Sequence, residues 1–244
     1  MSNNTKIEWA DATWNPITGC SKISEGCEHC YAERMVKRFP KIYPNGFKPT
    51  FHEKRLEEPL HWKKPRRIFV CSMGDLFHED VPYEWIEKVF KVMKECPQHT
   101  FLLLTKRPLI ARTVQCVWLS NHSSPLPNVW LGVTVEHFVY DDRIATLQKA
   151  DFAHKFISLE PLLSPIFIGF NLFASAYDGR PIEWVIVGGE TGLGARMMKP
   201  EWVRDIRDEC VKRGVPFFFK KWGGGNNSRL LDGREWNQMP EVMR

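Results

Sequence analysis

The stretch Arg67-Ile68-Phe69-Val70-Cys71 (RIFVC) decides the fold, because five similar runs follow it along the chain. Each run is short, apolar and rich in β-branched or aromatic residues, as is typical of buried strands. The other runs are 100–104 (TFLLL), 129–133 (VWLGV), 155–159 (KFISL), 183–187 (EWVIV) and 215–219 (VPFFF). Their starts lie 26 to 33 residues apart, the length of one strand–helix unit.

The segments between these runs carry helix boundary signals. Pro82 suits the first turn of a helix that Pro97 ends, and Pro200 opens another helix before a left-handed cap at Gly214. Residues 140–149 predict a shorter helix. Strands that alternate with helices in this way favour a parallel sheet covered on both faces.

The six runs, with one further strand near Thr13–Thr18, predict an α/β fold in one domain over residues 1–244. We expect a parallel partial TIM-type barrel of six to seven strand–helix units, with an open doubly wound sheet as the alternative. Residues 40–66 predict a long basic loop with a short helix. The chain from about 222 to 244 predicts a C-terminal hairpin that turns at Asp232-Gly233.

Composition excludes several classes of protein. The 244 residues are 43% hydrophobic and 26% charged, which excludes a disordered chain, and no apolar run approaches the ~20 residues of a membrane span. The first nine residues are polar and lack the apolar core of a signal peptide, so we expect a soluble cytoplasmic protein. Seven cysteines, an odd number, argue against a disulfide framework.

Three of these cysteines, Cys20, Cys27 and Cys30, lie close together in the sequence with the spacing C-x6-C-x2-C. Three thiolates on one loop can bind one metal ion or three corners of an iron–sulfur cube. A structural zinc site takes four ligands, and the chain has no second C-x-x-C pair. An iron–sulfur cube held by three cysteines keeps one iron open, which suits catalysis.

Polar residues follow every predicted strand, and in a strand–helix barrel such positions meet at one mouth. The basic ones are Lys106, Arg107, Lys220 and Lys221. A second basic group precedes the 67–71 strand, at Lys63, Lys64, Arg66 and Arg67. Together with a net charge of +5, they favour an anionic substrate such as a nucleotide or a nucleic acid. The glycine-rich stretch 188–194 does not match a dinucleotide-binding fingerprint.

Several short motifs carry a resemblance to known proteins. Besides the Cys loop they are 72–77 (SMGDLF), 104–108 (LTKRP), 158–162 (SLEPL), 188–191 (GGET) and 219–223 (FKKWG). Over nearly its full length the chain resembles a phage and bacterial family that shares a three-Cys motif. Its Cys loop resembles that of the radical S-adenosylmethionine (SAM) enzymes, although the commonest spacing there is C-x3-C-x2-C.

The radical SAM resemblance implies an N-terminal cluster-binding loop in which Cys20, Cys27 and Cys30 hold a 4Fe-4S cluster. In that superfamily SAM binds the open iron, and an electron from the cluster cleaves it to a 5′-deoxyadenosyl radical. It also implies a flavodoxin-like or ferredoxin-like electron donor. Residues implied to bind SAM are Gly74, Asp75, Thr134, Glu136, Glu160 and Glu190. Candidate catalytic residues are Lys106, Lys220 and Cys71.

We therefore expect a radical SAM-type enzyme, with a nucleic-acid component as the candidate substrate and no membrane partner. The alternative is a non-catalytic phage-type protein that binds nucleic acid and is stabilised by zinc or an iron–sulfur cluster. A third interpretation is a metal-dependent hydrolase that uses Asp75, Glu136, Glu160 and Glu190. The sequence opposes it mildly, because no His accompanies these carboxylates.

Overall fold

The computed structural model describes residues 5–169 and 181–243, so both ends of the predicted 1–244 domain lie outside the described residues. The strands are β1 (Ala12–Trp14), β2 (Ile17–Thr18), β3 (Thr50–Phe51), β4 (Arg67–Val70), β5 (Thr100–Thr105), β6 (Val129–Thr134), β7 (His154–Leu159), β8 (Trp184–Val187), β9 (Phe217–Phe219), β10 (Leu230–Leu231) and β11 (Arg234–Glu235). The helices are α1 (Tyr31–Arg38), α2 (Glu53–Leu56), α3 (Tyr83–Glu95), α4 (Pro108–Ser120), α5 (Asp142–Gln148) and α6 (Pro200–Arg213). Short 3-10 helices cover Glu25–Cys27, Glu58–His61, Phe138–Tyr140 and Glu241–Met243.

Seven parallel strands form one sheet in the order β1-β4-β5-β6-β7-β8-β9. All six predicted runs are strands of this sheet, and β1 is the further strand expected near Thr13. The sheet curls into a half-barrel, which confirms the partial TIM-type fold over the open doubly wound alternative. All seven carboxyl ends therefore lie at one edge.

The two faces of the sheet bury different sets of side chains. The larger apolar cluster lies between the sheet and the helices; Ile86, Val89 and Met93 of α3 belong to it. The smaller cluster fills the inner face of the half-barrel and contains Leu102, Trp130, Phe156, Trp184, Ile186 and Phe218. Burying each large apolar side chain contributes about 1.5–3 kcal/mol. The many aromatic residues are thus largely core.

The helix boundaries follow the proline and glycine signals. Helix α3 begins directly after Pro82, and α6 begins at Pro200 and ends at Gly214, whose φ of 68° is left-handed. Helix α4, which the patterning did not single out, begins at Pro108. The strands β10 and β11 pair as a hairpin with Asp232 and Gly233 at φ 52° and 81°. These positive φ angles explain the Asp-Gly sequence.

A close contact between two glycines sets the start of the Cys loop. Gly19, with φ of 98°, forms a bridge to Gly74 just past β4. A Cβ atom on Gly74 would lie 2.7 Å from the carbonyl oxygen of Gly19. The same atom on Gly19 would lie 2.2 Å from the carbonyl oxygen of Lys48. Only glycine allows this approach, and it places Cys20 beside the carboxyl end of β4.

Within residues 5–169 and 181–243, every helix is too short or too polar to cross a lipid bilayer.

Candidate functional site

The three clustered cysteines line one cavity at the carboxyl edge of the sheet. Cys27 ends the 3-10 helix Glu25–Cys27, and Cys30 directly precedes α1. The cavity measures about 180 Å³, and residues that follow β4, β5 and β6 form its other walls. Cys20, Cys27 and Cys30 are free thiols of intermediate exposure. The loop therefore presents three sulfur donors to one partly open cavity.

Lys106, at the end of β5, reaches Cys27. Its Nζ atom lies 3.6 Å from Cys27 Sγ, 3.3 Å from Ser24 Oγ and 3.2 Å from Glu136 Oε1. Burial by itself raises the pKa of the Cys27 thiol, but Lys106, Ser24 and a backbone N–H outweigh it, so this pKa is lowered. Lys106 thus favours the thiolate, the form that binds a metal.

Arg107 makes the corresponding contact with Cys20. Its Nη1 atom lies 3.5 Å from Cys20 Sγ and 3.3 Å from Asp75 Oδ2, and its Nη2 atom donates to Ser21 Oγ at 2.8 Å. Burial and then the Asp75 carboxylate raise the pKa of Cys20 to about 12, although Arg107 opposes them. The raised pKa means that Cys20 is protonated at neutral pH, and binding of a metal would release that proton.

Asp75 has protein donors on both carboxylate oxygens. Oδ1 accepts from the Phe77 N–H at 3.0 Å and from Thr105 Oγ1 at 2.9 Å, while Oδ2 accepts from Arg107. The residue is buried. In this arrangement Asp75 positions Arg107, and its contact with SAM stays a prediction.

Glu136 is fully buried behind Lys106 rather than at the cavity wall. Its Oε1 pairs with Lys106 and its Oε2 pairs with Arg143 Nη1 at 2.9 Å. Burial by itself raises the pKa of Glu136. Lys106, a hydrogen bond from Ser24 and then Arg143 outweigh burial, so the net pKa is lowered and the carboxylate stays ionised. Glu136 therefore holds Lys106 in place.

A second cavity of about 400 Å³ occupies the mouth of the half-barrel; we call it the lumen cavity. It shares Gly26, Cys30, Tyr31, Phe69 and Leu104 with the cysteine cavity. Glu160 follows β7 and forms an ion pair with Lys220, which follows β9. Burial opposes the charge of Lys220, yet Glu160 outweighs it and raises the pKa of Lys220. The two cavities thus adjoin along the Cys loop.

Glu190, after β8, ties the glycine-rich loop to the Cys loop. Its carboxylate accepts two bonds from the Arg196 guanidinium, at 2.6 and 2.9 Å, and lies 3.0 Å from His29 Nδ1. Arg196 also donates to the Glu25 carbonyl at 2.8 Å. Burial opposes ionisation of Glu190, but Arg196 and His29 lower its pKa to about 2.

The predicted site residues fall into three groups. The cysteine cavity is lined by Cys20, Cys27, Cys30, Cys71, Gly74, Asp75, Thr134 and Lys106. The lumen cavity is lined by Glu160, Glu190 and Lys220. The basic group Lys63, Lys64, Arg66 and Arg67 lies apart from both. The first three of these residues precede β4 and Arg67 begins it, so the group lies at the amino edge of the sheet. There the Arg67 guanidinium pairs with the Asp11 carboxylate at 2.7 Å.

Sequence reasoning missed the partners of the carboxylates and the wall of the lumen cavity. Arg143 and Arg196 hold Glu136 and Glu190, and Trp9 lines the lumen. The available signal for Arg143 and Arg196 was that each follows its acidic partner by a few residues in the sequence. No local pattern marks Trp9, because its neighbours come from distant strands.

The donor set of the Cys loop, three free thiols around one cavity, fits the three cysteine corners of an iron–sulfur cube. Cys20, Cys27 and Cys30 surround one cavity, yet no three His, Cys, Asp or Glu side chains of the described chain converge on one ion position. A tetrahedral zinc site needs four ligands within about 2.3 Å of a common point. The four carboxylates of the hydrolase interpretation are likewise separate, since each pairs with its own Lys or Arg.

Comparison with solved structures finds the same fold in spore photoproduct lyase. One structure, of a mutant in which a cysteine is replaced by serine, superposes with a TM-score of 0.56 at 11% identity, over 88% of this chain and 78% of that chain. Another, of a mutant in which a tyrosine is replaced by phenylalanine, gives a TM-score of 0.52 at 8% identity, over 83% and 74%. At such identities the likeness shows the fold alone.

Comparison with curated proteins gives no match. A family model described as "Protein of unknown function (DUF5131)" matches residues 4–240. That match spans nearly the whole chain, including the Cys loop and every strand of the half-barrel. The chain therefore belongs to the DUF5131 family.

Proposed function

We propose that this protein is a radical SAM-type enzyme whose 4Fe-4S cluster is held by Cys20, Cys27 and Cys30. The observation that carries the proposal is the position of three free thiols around one cavity at the carboxyl edge of a parallel half-barrel. The fold likeness supports it, because spore photoproduct lyase is a radical SAM enzyme. When bound, the cluster and SAM supply reductive cleavage of SAM to a 5′-deoxyadenosyl radical.

The protein's own residues prepare the two cavities for this chemistry. Lys106 and Arg107 donate to the sulfurs of Cys27 and Cys20 and offset the negative charge of the thiolates. Thr134 lines the cysteine cavity and Glu160 the lumen cavity, which supports the proposal that both orient SAM. Trp9, Phe69 and Leu104 belong to the apolar inner face and line the lumen cavity, so they give that cavity an apolar wall that disfavours water.

Lys220 is proposed as a group that touches the substrate, and Cys71 as a hydrogen-atom donor on the side of the cysteine cavity. Cys71 lines the cysteine cavity, and burial raises the pKa of its thiol to about 12, so it stays protonated and can donate a hydrogen atom. Lys220 lines the lumen cavity as an ammonium paired with Glu160 and can donate a proton.

We propose a nucleic-acid component as the substrate and a reduced flavodoxin-like or ferredoxin-like protein as the electron donor. Lys6 and Lys221 line the lumen cavity and form no salt bridge among the described residues, so they supply positive charge for phosphate. The Cys loop remains partly exposed, which gives a donor protein access to the cluster.

The test is anaerobic reconstitution followed by iron and sulfide analysis and by assay for 5′-deoxyadenosine with SAM and dithionite. We expect four irons per chain and formation of 5′-deoxyadenosine. Cys27→Ala should lose both, whereas Cys116→Ala, a matched control at an exposed cysteine on α4, should keep both. A colourless protein with one zinc per chain would instead support the non-catalytic nucleic-acid-binding alternative.

A further inference from the structure

We infer that the lumen cavity binds one nucleotide unit, with its base against Phe69, which Trp9 supports from behind, and its phosphate at Lys6 and Lys221. The inference rests on the proposed function only for the role of that nucleotide as substrate. The binding site itself is argued from the cavity.

The aromatic wall of the cavity is built before any ligand enters. The rings of Trp9 and Phe69 lie 4.8 Å apart between centroids and are tilted by 56°. Trp184 holds Trp9 from the inner face of the barrel in an edge contact at 6.2 Å. Trp9 is only 2% exposed, so its ring is fixed by packing. A rigid aromatic wall favours a flat ring over a flexible chain.

Two buried polar atoms in the same segment lack a hydrogen-bond partner within the described part of the chain. They are Nε1 of Trp9, a donor, and Oε2 of Glu8, an acceptor. Both residues line the lumen cavity. Buried polar atoms are nearly always paired in native proteins, so this unpaired donor and this unpaired acceptor leave the wall of the cavity short of a partner for each. The edge of a nucleobase carries both.

The charges at the mouth favour an anion beside that ring. Lys220 is already paired with Glu160. Lys6 and Lys221 also line the cavity, and no acidic side chain among residues 5–169 and 181–243 forms a salt bridge with either. Two ammonium groups that form no salt bridge within the described part of the chain are suited to phosphate.

The position of the cavity separates it from the cysteine cavity while keeping the two in contact. Cys30 and Tyr31 form part of the shared wall, and Lys106 and Arg107 lie only on the cysteine side. A nucleotide in the lumen cavity would therefore lie beside the proposed cluster and not on its sulfurs.

The test is calorimetric titration of anaerobically reconstituted protein in the presence of saturating SAM. The probes are thymidine 5′-monophosphate, adenosine 5′-monophosphate, thymidine and inorganic phosphate. We expect one mononucleotide per chain, bound about tenfold more tightly than thymidine or phosphate alone, because base and phosphate contacts act together.

Two variants assign the contacts. Lys221→Gln should weaken binding of the mononucleotides about five- to tenfold and leave thymidine unchanged, since it removes a single cation. Phe69→Leu should weaken mononucleotides and thymidine alike. Lys212→Gln, on the exposed face of α6, is the matched control and should change neither.

Three results would overturn the inference: no mononucleotide binding, unchanged binding in Lys221→Gln, or one-for-one displacement of the nucleotide by SAM. The last would assign the lumen cavity to the cofactor. If 5′-deoxyadenosine forms without nucleotide binding, the inference fails alone. If the nucleotide binds to a protein that never cleaves SAM, the proposed function fails and the binding site stands.

Discussion

The Nζ atom of Lys106 lies 3.6 Å from the Sγ atom of Cys27, and the next residue in the chain makes the same kind of contact with Cys20. Lys106 and Arg107 lie between the end of β5 and the start of α4, and their side chains reach two separate sulfurs. Hydrogen bonds to sulfur are among the features that set the reduction potential of an iron–sulfur centre. The segment after β5 is therefore the part of the barrel that would adjust the proposed cluster.

Lys106→Met should lower the reduction potential of the reconstituted cluster. The substitution removes a positive charge and a donor that favour the reduced form, so we expect a shift on the order of 50 mV, measured by potentiometric EPR titration. Lys94→Met, at an exposed position on α3, is the control and should leave the potential in place. An unchanged potential in Lys106→Met would show that the contact with Cys27 has no electronic effect.

Arg107→Met should destabilise the fold as well as the loop. The substitution leaves the buried Asp75 without its cation, and an uncompensated buried charge costs about 3–5 kcal/mol. Urea unfolding of the metal-free protein measures this loss. The double variant Arg107→Met with Asp75→Asn should recover part of it, and a double variant less stable than Arg107→Met would refute the pairing.

Gly74→Ala should displace the Cys loop. The added Cβ atom would meet the Gly19 carbonyl at 2.7 Å, and forced contacts of this kind cost about 1–3 kcal/mol. We expect lower stability and fewer irons retained per chain after gel filtration. Gly169→Ala is the control, because its Cβ atom would meet only the flexible end of Glu209, at 3.0 Å. Equal iron retention in both variants would contradict the role of the glycine bridge.

Stability should fall in acid through Glu190. Although burial opposes its ionisation, Arg196 and His29 lower the pKa of Glu190 to about 2, below the ordinary value of a glutamate in the unfolded chain. A lowered folded-state pKa stabilises the protein above about pH 4.5, and this contribution is lost as the pH falls towards 2. Thermal unfolding from pH 7 to pH 3 should therefore show a smaller decrease in Tm for Glu190→Gln than for the parent. Equal decreases would mean that Glu190 is not the linked group.

The sequence predicted the strands well, because a buried parallel strand is a continuous apolar run that no helix of this length would match. The grouping of Cys20, Cys27 and Cys30 around one cavity could also be predicted, since their spacing is local. Their role as cluster ligands stays a prediction. The hydrogen-bond partners of Asp75 could not be predicted from the sequence. Thr105 and Arg107 lie 30 and 32 residues further along the chain, at and just after the end of β5. The basic group at Lys63 lies away from the site for a topological reason: residues that precede a parallel strand lie at the edge opposite the site.

The guanidinium of Arg196 binds both the nearby Glu190 carboxylate and the carbonyl of Glu25, which lies 171 residues earlier in the chain than Arg196. A ligand in the lumen cavity that displaces Glu190 would therefore also displace, through Arg196, the 3-10 turn Glu25–Cys27. Energetic coupling of this kind is reciprocal. If a redox centre is bound on that turn, its oxidation or reduction would change the affinity of the lumen cavity for a ligand. Binding of the ligand would shift the reduction potential of the centre by the same coupling free energy.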